Sequence, residues 1–439
     1  MNNMTTTKIP LEVDELPKRW YNILPDLPLP LPPPKDPEDG ASRLQNLPNI
    51  FSMEILKQEA ATDRYIPIPE EVRELYIQSG RPRPLYRAKR LEKILGTPAK
   101  LYYKSEFYSP TGSHKVNTAI PQAYYAKKQG IERMVTETGA GQWGTALAYA
   151  CSLIGLDLTV YWVRAASTWK KSRRHFMQLL GATVFDSPSN NTSIGKQLLL
   201  DDPQHVGSLG IAIAEAVQDA QADQKAIYSL GSVLNHVLLH QTIIGLECQK
   251  QFKKIDQYPD VVISCLGGGS NFGGIAIPFL RDRIIDKRNI KFIATQSAAA
   301  PNLTGEYRYD YGDYAEQTPL LKMCTLGHKT SFTPIKADGL RYHGAAPIIS
   351  ALRHQGFIDT IIYPQDESYV FNKAKLFVRS EGFLPAPESA YSIAAAIDEA
   401  MKCKKTGEKK TILFNVSGHG FMDMDGYEEK LLRSLKASS

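Results

Sequence analysis

Long hydrophobic runs are missing from this chain. Nowhere do about eighteen apolar residues stand together, as a membrane span requires, and residues 1–20 hold no apolar stretch suited to a secretory leader. A cytoplasmic protein is therefore expected. Cysteine is scarce: its five copies (Cys151, Cys248, Cys265, Cys324 and Cys403) are odd in number and widely spaced, which argues against a disulfide scaffold and for reduced thiols packed as small hydrophobes. A concentrated charge of one sign is also lacking. Lys and Arg total 52 against 46 Asp and Glu, so the +6 balance is spread over the whole length, which does not argue for nucleic acid and mildly favours anionic small molecules. Short basic runs such as Lys170-Lys171-Ser172-Arg173-Arg174 read as solvated helix faces. There is no internal repeat and no sustained heptad pattern. His236 and His240 have the spacing of a zinc pair, but no Glu follows the first His and no third ligand is evident, so no metal site is expected.

With 43% hydrophobic residues in 439, the chain can bury a large core, and its length suits two or three domains. Proline concentrates in Leu27–Gly40, which cannot supply helix or central-strand hydrogen bonds and is expected to run extended over a surface as an arm. From Pro82 onward, β-rich apolar runs alternate with helical ones. Ala99–Tyr103, Arg133–Glu137, Leu158–Val163, Thr183–Phe185, Val261–Cys265, Lys291–Thr295, Thr360–Tyr363 and Thr411–Asn415 read as strands; 116–129, 144–154, 170–180 and 236–252 read as helices. This is the pattern of an α/β protein with two open, mostly parallel twisted sheets flanked by helices. Ligands of such sheets sit beyond the carboxyl ends of the strands, and the polar motifs fall there. Tyr307, Tyr309, Tyr311 and Tyr314, clustered with Asp310 and Asp313, read as a surface flap or subunit contact because no basic groove accompanies them.

Lys115 stands just before an apolar-periodic helix, where the helix dipole disfavours a cation. Desolvation in a cleft would lower its pKa and free the amine to attack a carbonyl; a surface lysine is the plainer alternative. Gly267-Gly268-Gly269-Ser270-Asn271 follows an apolar strand and precedes a helix, so its backbone N–H groups can wrap a phosphate, although a plain tight turn has the same composition. Its spacing matches neither a Walker loop nor a dinucleotide fingerprint. Thr138-Gly139-Ala140-Gly141-Gln142, after Glu137, forms a second nest between strand and helix, fit for a carboxylate. A lysine, a phosphate cradle and a carboxylate nest together look like the walls of a pyridoxal phosphate site, since lysine can hold an aldehyde cofactor covalently.

The motifs His114-Lys115-Val116-Asn117, Glu137–Gln142, Gly267–Asn271, Pro385-Ala386-Pro387-Glu388-Ser389 and Asn415-Val416-Ser417-Gly418-His419-Gly420 come in the order seen in the tryptophan synthase beta chains, and from about Pro82 onward the chain resembles that family, more its divergent second type than its common type. The family is of the fold type II class. The resemblance implies an arm over 1–50, one domain from 51–80 and 114–238 with a mobile part at about 130–217, and a second domain from 81–113 and 239–439. It implies that pyridoxal 5'-phosphate is carried by Lys115, which also moves the substrate α-proton, with Glu137 accepting the indole N–H proton. His114, Gly267, Gly268, Gly269, Ser270 and Asn271 would hold the phosphate, Asn117 the ring oxygen, Glu388 the cofactor side, and Ser417 the pyridine nitrogen. Thr138, Gly139, Ala140, Gly141 and Gln142 would hold the substrate carboxylate. The reaction implied is β-replacement, adding indole to an aminoacrylate made from L-serine to give L-tryptophan. A homodimer, an alpha chain delivering indole, and a monovalent cation beside Gly267 and Tyr342 are implied in the same way.

Two departures stand out. Trp143 replaces the common type's His, and Gly339-Leu340-Arg341-Tyr342-His343-Gly344 puts Arg341 where the family has an acid that closes the mobile part. Thr168-Trp169-Lys170-Lys171 stands where the acid's arginine partner is usual. Arginine suits a leaving phosphate better than a bare hydroxyl, so O-phospho-L-serine is a candidate donor, with Arg341 and one of His343, Lys170 or Lys171 as clamp; the alternative is one closing salt bridge exchanged for another. Two other readings remain: a serine/threonine dehydratase or threonine-synthase-like lyase, which needs no Glu137, and a non-catalytic regulator of the same fold.

Overall fold

The computed structural model describes residues 7–432. Two sheets organise them. The larger has seven strands, in spatial order Lys8–Ile9, Leu85–Arg87, Lys100–Ser105, Thr411–Val416, Val261–Cys265, Lys291–Ser297 and Asp359–Tyr363. The five from Lys100–Ser105 onward pair in parallel, while the first two add on antiparallel at one edge. The central strands, TILFNV and VVISC, are buried at every position, as expected of a parallel sheet covered by helices on both faces. The smaller sheet is all parallel, in the order Thr183–Ser187, Asp157–Val163, Arg133–Thr138 and Ala226–Ser229.

The helices have local causes. Pro387–Thr406 starts with proline in its first turn, where a missing N–H costs nothing, and ends at Gly407 with φ +74°. Its fully buried Ala390, Ala394, Ala395 and Ala396 carry no bulk, so its backbone can lie close to the larger sheet. Helix Gln142–Ile154 opens at Gly141, φ +87°, where a side chain would strike the Trp162 ring. No helix among the described residues is long and apolar enough to cross a membrane.

The expected strands and helices are present, most within two residues. Three features depart from expectation. Ala226–Ser229, only four residues long, completes the smaller sheet although its run is too short for periodicity to declare it. The tyrosine cluster forms an antiparallel hairpin, Glu306–Asp310 with Leu321–Thr325. Among the described residues of the expected arm, 7–50, the proline segment is irregular while other parts join the body of the protein. Lys8–Ile9 joins the larger sheet, Arg19–Tyr21 pairs with Tyr65–Pro67, and Trp20 and Tyr21 are buried. The indole ring of Trp20 lies 4.6 Å from that of His240. Leu27–Pro34 does run without regular structure, and Lys35 bridges to Leu320 of the hairpin.

Candidate active site

A cavity opens where strand ends of the two sheets face each other. The strand Arg133–Thr138 delivers Glu137 and Thr138, the short strand is followed by Leu230–Val233, and the larger sheet delivers Cys265 and Ser417. Lys115 reaches in from the start of helix Val116–Lys128. Its amine donates to the Gly231 carbonyl and, at 2.8 Å, to Ser270 Oγ. Burial pushes its pKa down to about 8 against the opposing pull of Glu137 and Glu388, so an appreciable fraction is neutral and nucleophilic near physiological pH.

Glu137 is the complementary group. Burial raises its pKa to about 7, while the Tyr228 hydroxyl, donating to Oε2 at 2.6 Å, favours the ionised form. The cavity thus holds an amine and a carboxyl group that both change charge near neutrality, the property needed to pass protons. Tyr228 escaped the sequence because it sits on the unrecognised short strand.

The glycine run is a cradle that tolerates no side chains. A Cβ on Gly267 would strike the Gly339 carbonyl, one on Gly268 would meet Ser232 Oγ, and Gly269 takes φ +125° as it opens helix Ser270–Ile284. Ser270 Oγ also lies 3.2 Å from His114 Nε2. His114 Nδ1 is buried with no partner, and burial beside Lys115 holds the imidazole neutral, its pKa well below the usual value. Helix start, bare backbone and an orphaned ring nitrogen fit a phosphate-bearing group. Where Ser417 lines the cavity its Oγ lies 2.8 Å from Ser389 Oγ; the Asn271 side chain, next after Ser270 in the cradle, is held by Ser264, Cys265 and Asn415. These walls offer neutral hydroxyl and amide groups, with the Cys265 thiol kept protonated by burial, its pKa about 11.

Gly139, Ala140 and Gln142 line the cavity, and Thr138 turns its hydroxyl to cap Gly144 N at 3.1 Å. Gln142 Nε2 donates to Glu388 at 2.9 Å; Glu388 also accepts from Gly339 N at 2.9 Å, and burial raises its pKa. Gly141 is not in the cavity wall.

Besides Gly141, two placements differ from the sequence expectation. Asn117 does not line the cavity: its oxygen accepts from Arg81 and Arg83, at 3.0 and 3.2 Å, and its nitrogen donates to Glu106 and Gln241, both at 3.0 Å. Those four partners occupy the amide, and all but Gln241 come from a segment whose proximity the motif gave no sign of. Arg341 does not reverse the local charge. Asp338, three residues earlier, lines the cavity and pairs with Arg341 at 2.6 Å and with buried Lys170 at 3.5 Å. Lys170 and Arg173 also meet Asp423, at 3.3 and 2.7 Å. His343 Nε2 donates to the Tyr311 carbonyl at 2.8 Å, and Lys171 is exposed; neither reaches the cavity. Trp143 donates to Thr136 at 2.6 Å and fills the space beside Gly231. His236 and His240 bind Glu59 and Gln58, at 2.8 and 2.7 Å.

A second, apolar cavity adjoins the first through Ile213, Leu230, Val233 and Tyr342, and is walled by Phe51, Ile55, Leu56 and Leu234. Tyr228 lies in its wall and so stands between it and Glu137. Val233 holds φ +73°, a costly conformation for a β-branched residue, at the boundary of the two spaces.

Residues 77–418 match the family model of pyridoxal-phosphate dependent enzymes. A Thermococcus kodakarensis protein named tryptophan synthase beta chain 2 is 55% identical over 426 residues, 97% of this chain and 96% of its own. A Pyrococcus horikoshii tryptophan synthase beta chain is 56% identical over 423 residues, 96% of this chain and 92% of its own. Among solved structures, an L-serine ammonia-lyase from Rhizomucor miehei (TM-score 0.59, 14% identity, covering 80% of this chain and 98% of its own) and the processed threonine deaminase isoform 2 from Solanum lycopersicum (TM-score 0.59, 18% identity, 91% and 97%) share the fold. With identity above half over nearly its whole length, the chain belongs to the tryptophan synthase beta-chain family of pyridoxal-phosphate-dependent lyases.

Proposed function

We propose that this chain replaces the β-substituent of a serine-type amino acid with indole, giving L-tryptophan. The observation that carries the reading is Glu137: a buried carboxyl poised near neutrality on one wall, opposite Lys115, and joined through Tyr228 to an apolar cavity of the kind a flat aromatic substrate needs. The cofactor, when bound, supplies the electron sink for breaking bonds at the substrate α-carbon. Lys115 would carry it and shuttle the α-proton; Gly267–Gly269, Ser270, Asn271 and His114 would hold its phosphate, and Ser417 would face its ring end. Gly139, Ala140 and Gln142 would receive the amino-acid carboxylate at the start of helix Gln142–Ile154, and Glu388 would keep Gln142 aimed. Glu137 would take the proton from the indole nitrogen. Replacing Glu137 with Gln should abolish tryptophan formation while leaving elimination to pyruvate. Continued tryptophan formation at the wild-type rate would refute the reading.

O-Phospho-L-serine as donor is favoured by one observation. An annex of the cavity beyond Gly139 and Asp338 is walled by Arg341, Ser331 and Ser208, the last capping helix Leu209–Gln221, and Arg341 Nε there is buried without a partner. Against it stands Asp338, which already holds the guanidinium. Comparing kcat/KM for serine and phosphoserine decides, and equal or better use of serine defeats the phosphate reading.

The proposal extends to organisation. Residues 51–80 with 114–238, and 81–113 with 239–439, form the two lobes, and about 130–217 moves as a unit whose closed state is latched by Lys170 and Arg173 on Asp338 and Asp423. In the cytoplasm the chain would pair with a second copy and accept an alpha chain at the mouth of the apolar cavity. Light scattering with and without that partner tests both contacts.

A further inference from the structure

Behind the glycine run, three backbone carbonyls converge on one side-chain atom. Asn302 Nδ2 lies 2.9 Å from the oxygen of Gly267, 3.0 Å from that of Tyr342 and 3.1 Å from that of Gly344. Asn302 is fully buried, in the turn that follows strand Lys291–Ser297. Its orientation is settled by a chain of donors. Leu303 N can only donate, so the Gln296 atom facing it at 3.2 Å is the oxygen. Gln296 therefore turns its nitrogen to Asn302, at 2.6 Å, and that atom of Asn302 must be oxygen. The amide nitrogen is thus the one among the carbonyls.

Three carbonyl dipoles aimed at one point repel each other unless a positive centre sits between them, which is how carbonyl rings hold alkali cations. An amide has two N–H groups, so three acceptors around it outnumber its hydrogens; the arrangement is that of a cation site whose centre is a protein atom. The monovalent cation implied beside Gly267 and Tyr342 does not fit here, because the amide already engages those oxygens. We propose that Asn302 replaces a monovalent cation in this chain. Its amide ties Gly267, the first residue of the cradle, to Tyr342, which lines both cavities, and to Gly344. From there Ala346 N returns to the Gly268 carbonyl at 2.8 Å. Asn302 is a positioning residue, and the enzyme needs no alkali cation. This rests on the glycine run being the cofactor cradle.

The test compares holoenzyme in Na⁺, K⁺, Cs⁺ and tetramethylammonium chlorides at matched ionic strength, with thallium-soaked crystals read by anomalous diffraction. For the wild type, kcat/KM and cofactor absorbance should agree within about twofold across the salts, with no thallium among the three carbonyls. Asn302→Asp removes both donors and adds a negative charge in the same shape. It should lose about tenfold or more in tetramethylammonium, recover in K⁺ or Cs⁺, and place thallium beside the new carboxylate. Cation-stimulated wild type, or thallium between its carbonyls, overturns the proposal; so does an Asn302→Asp variant indifferent to cations. The wild-type comparison stands even if that variant does not fold. A misplaced cofactor site would show differently, as a borohydride label on a side chain other than Lys115.

Discussion

Replacing Tyr228 with Phe isolates one hydrogen bond of the proposed acid–base pair. The phenyl ring stays edge-on to Phe51, 5.6 Å between centroids, so packing is retained and only the hydroxyl donated to Glu137 is lost. A hydrogen bond to a charged group is worth about 1.5–3 kcal/mol, and one pKa unit corresponds to about 1.36 kcal/mol. Losing a donor disfavours the ionised form, so Glu137 should rise from about 7 by roughly one to two units. At a pH of about 7.5 the ionised fraction then falls from roughly three quarters to between a quarter and a few per cent, and tryptophan formation from indole falls roughly threefold to twenty-five-fold. The assay is the pH profile of kcat/KM for tryptophan formation alongside elimination to pyruvate by the same protein. The acid limb of tryptophan formation should move to higher pH, while elimination, which depends on Lys115, keeps its profile. An unmoved limb, a move to lower pH, or the same displacement in both reactions would refute the assignment of Glu137 as the base for indole.

Borohydride reduction of the holoenzyme followed by peptide mapping should put the cofactor label on Lys115, and Lys115→Ala should lose both label and activity; a label elsewhere removes the basis of the mechanism. In the apoprotein, the lowered pKa of Lys115 means that the unfolded chain binds more protons between about 8 and 10.5. Stability relative to Lys115→Met should therefore rise with pH across that window and be level below it, as read by denaturant melts. Gly267→Ala drives a Cβ into the Gly339 carbonyl, backbone that cannot swing aside, and should cost about 1–3 kcal/mol together with cofactor retention on dialysis. Lys170→Ala leaves Asp338 and Asp423 facing a buried void and should lower stability by about 3–5 kcal/mol; an unchanged melting temperature would show that the latch carries no load.

Much of the candidate site could be read along the chain because its parts are local. Lys115, Glu137, the nest after it and the glycine run each lie at a junction of strand and helix, where periodicity changes within a few residues and glycine marks close backbone approach. Asn117 misled for the opposite reason. At the second position of its helix, it points to whatever the fold brings near, and that is a buried set of arginines and a glutamate from residues 81–106. The effect of Arg341 on local charge is likewise set by its spatial neighbours, and Asp338, paired with its guanidinium, balances it.

Local pattern, then, decided the alternation of strands and helices, the order of motifs and the family, since hydrophobic period and glycine placement are properties of neighbours in sequence. Folding decided which groups share a cavity. Tyr228 became the partner of Glu137, Asn302 came to face three distant carbonyls, and Trp20 left the arm for the core. Each of these is a contact between residues far apart along the chain, and its energy comes from burial and dipoles that exist only once the two sheets have closed around them.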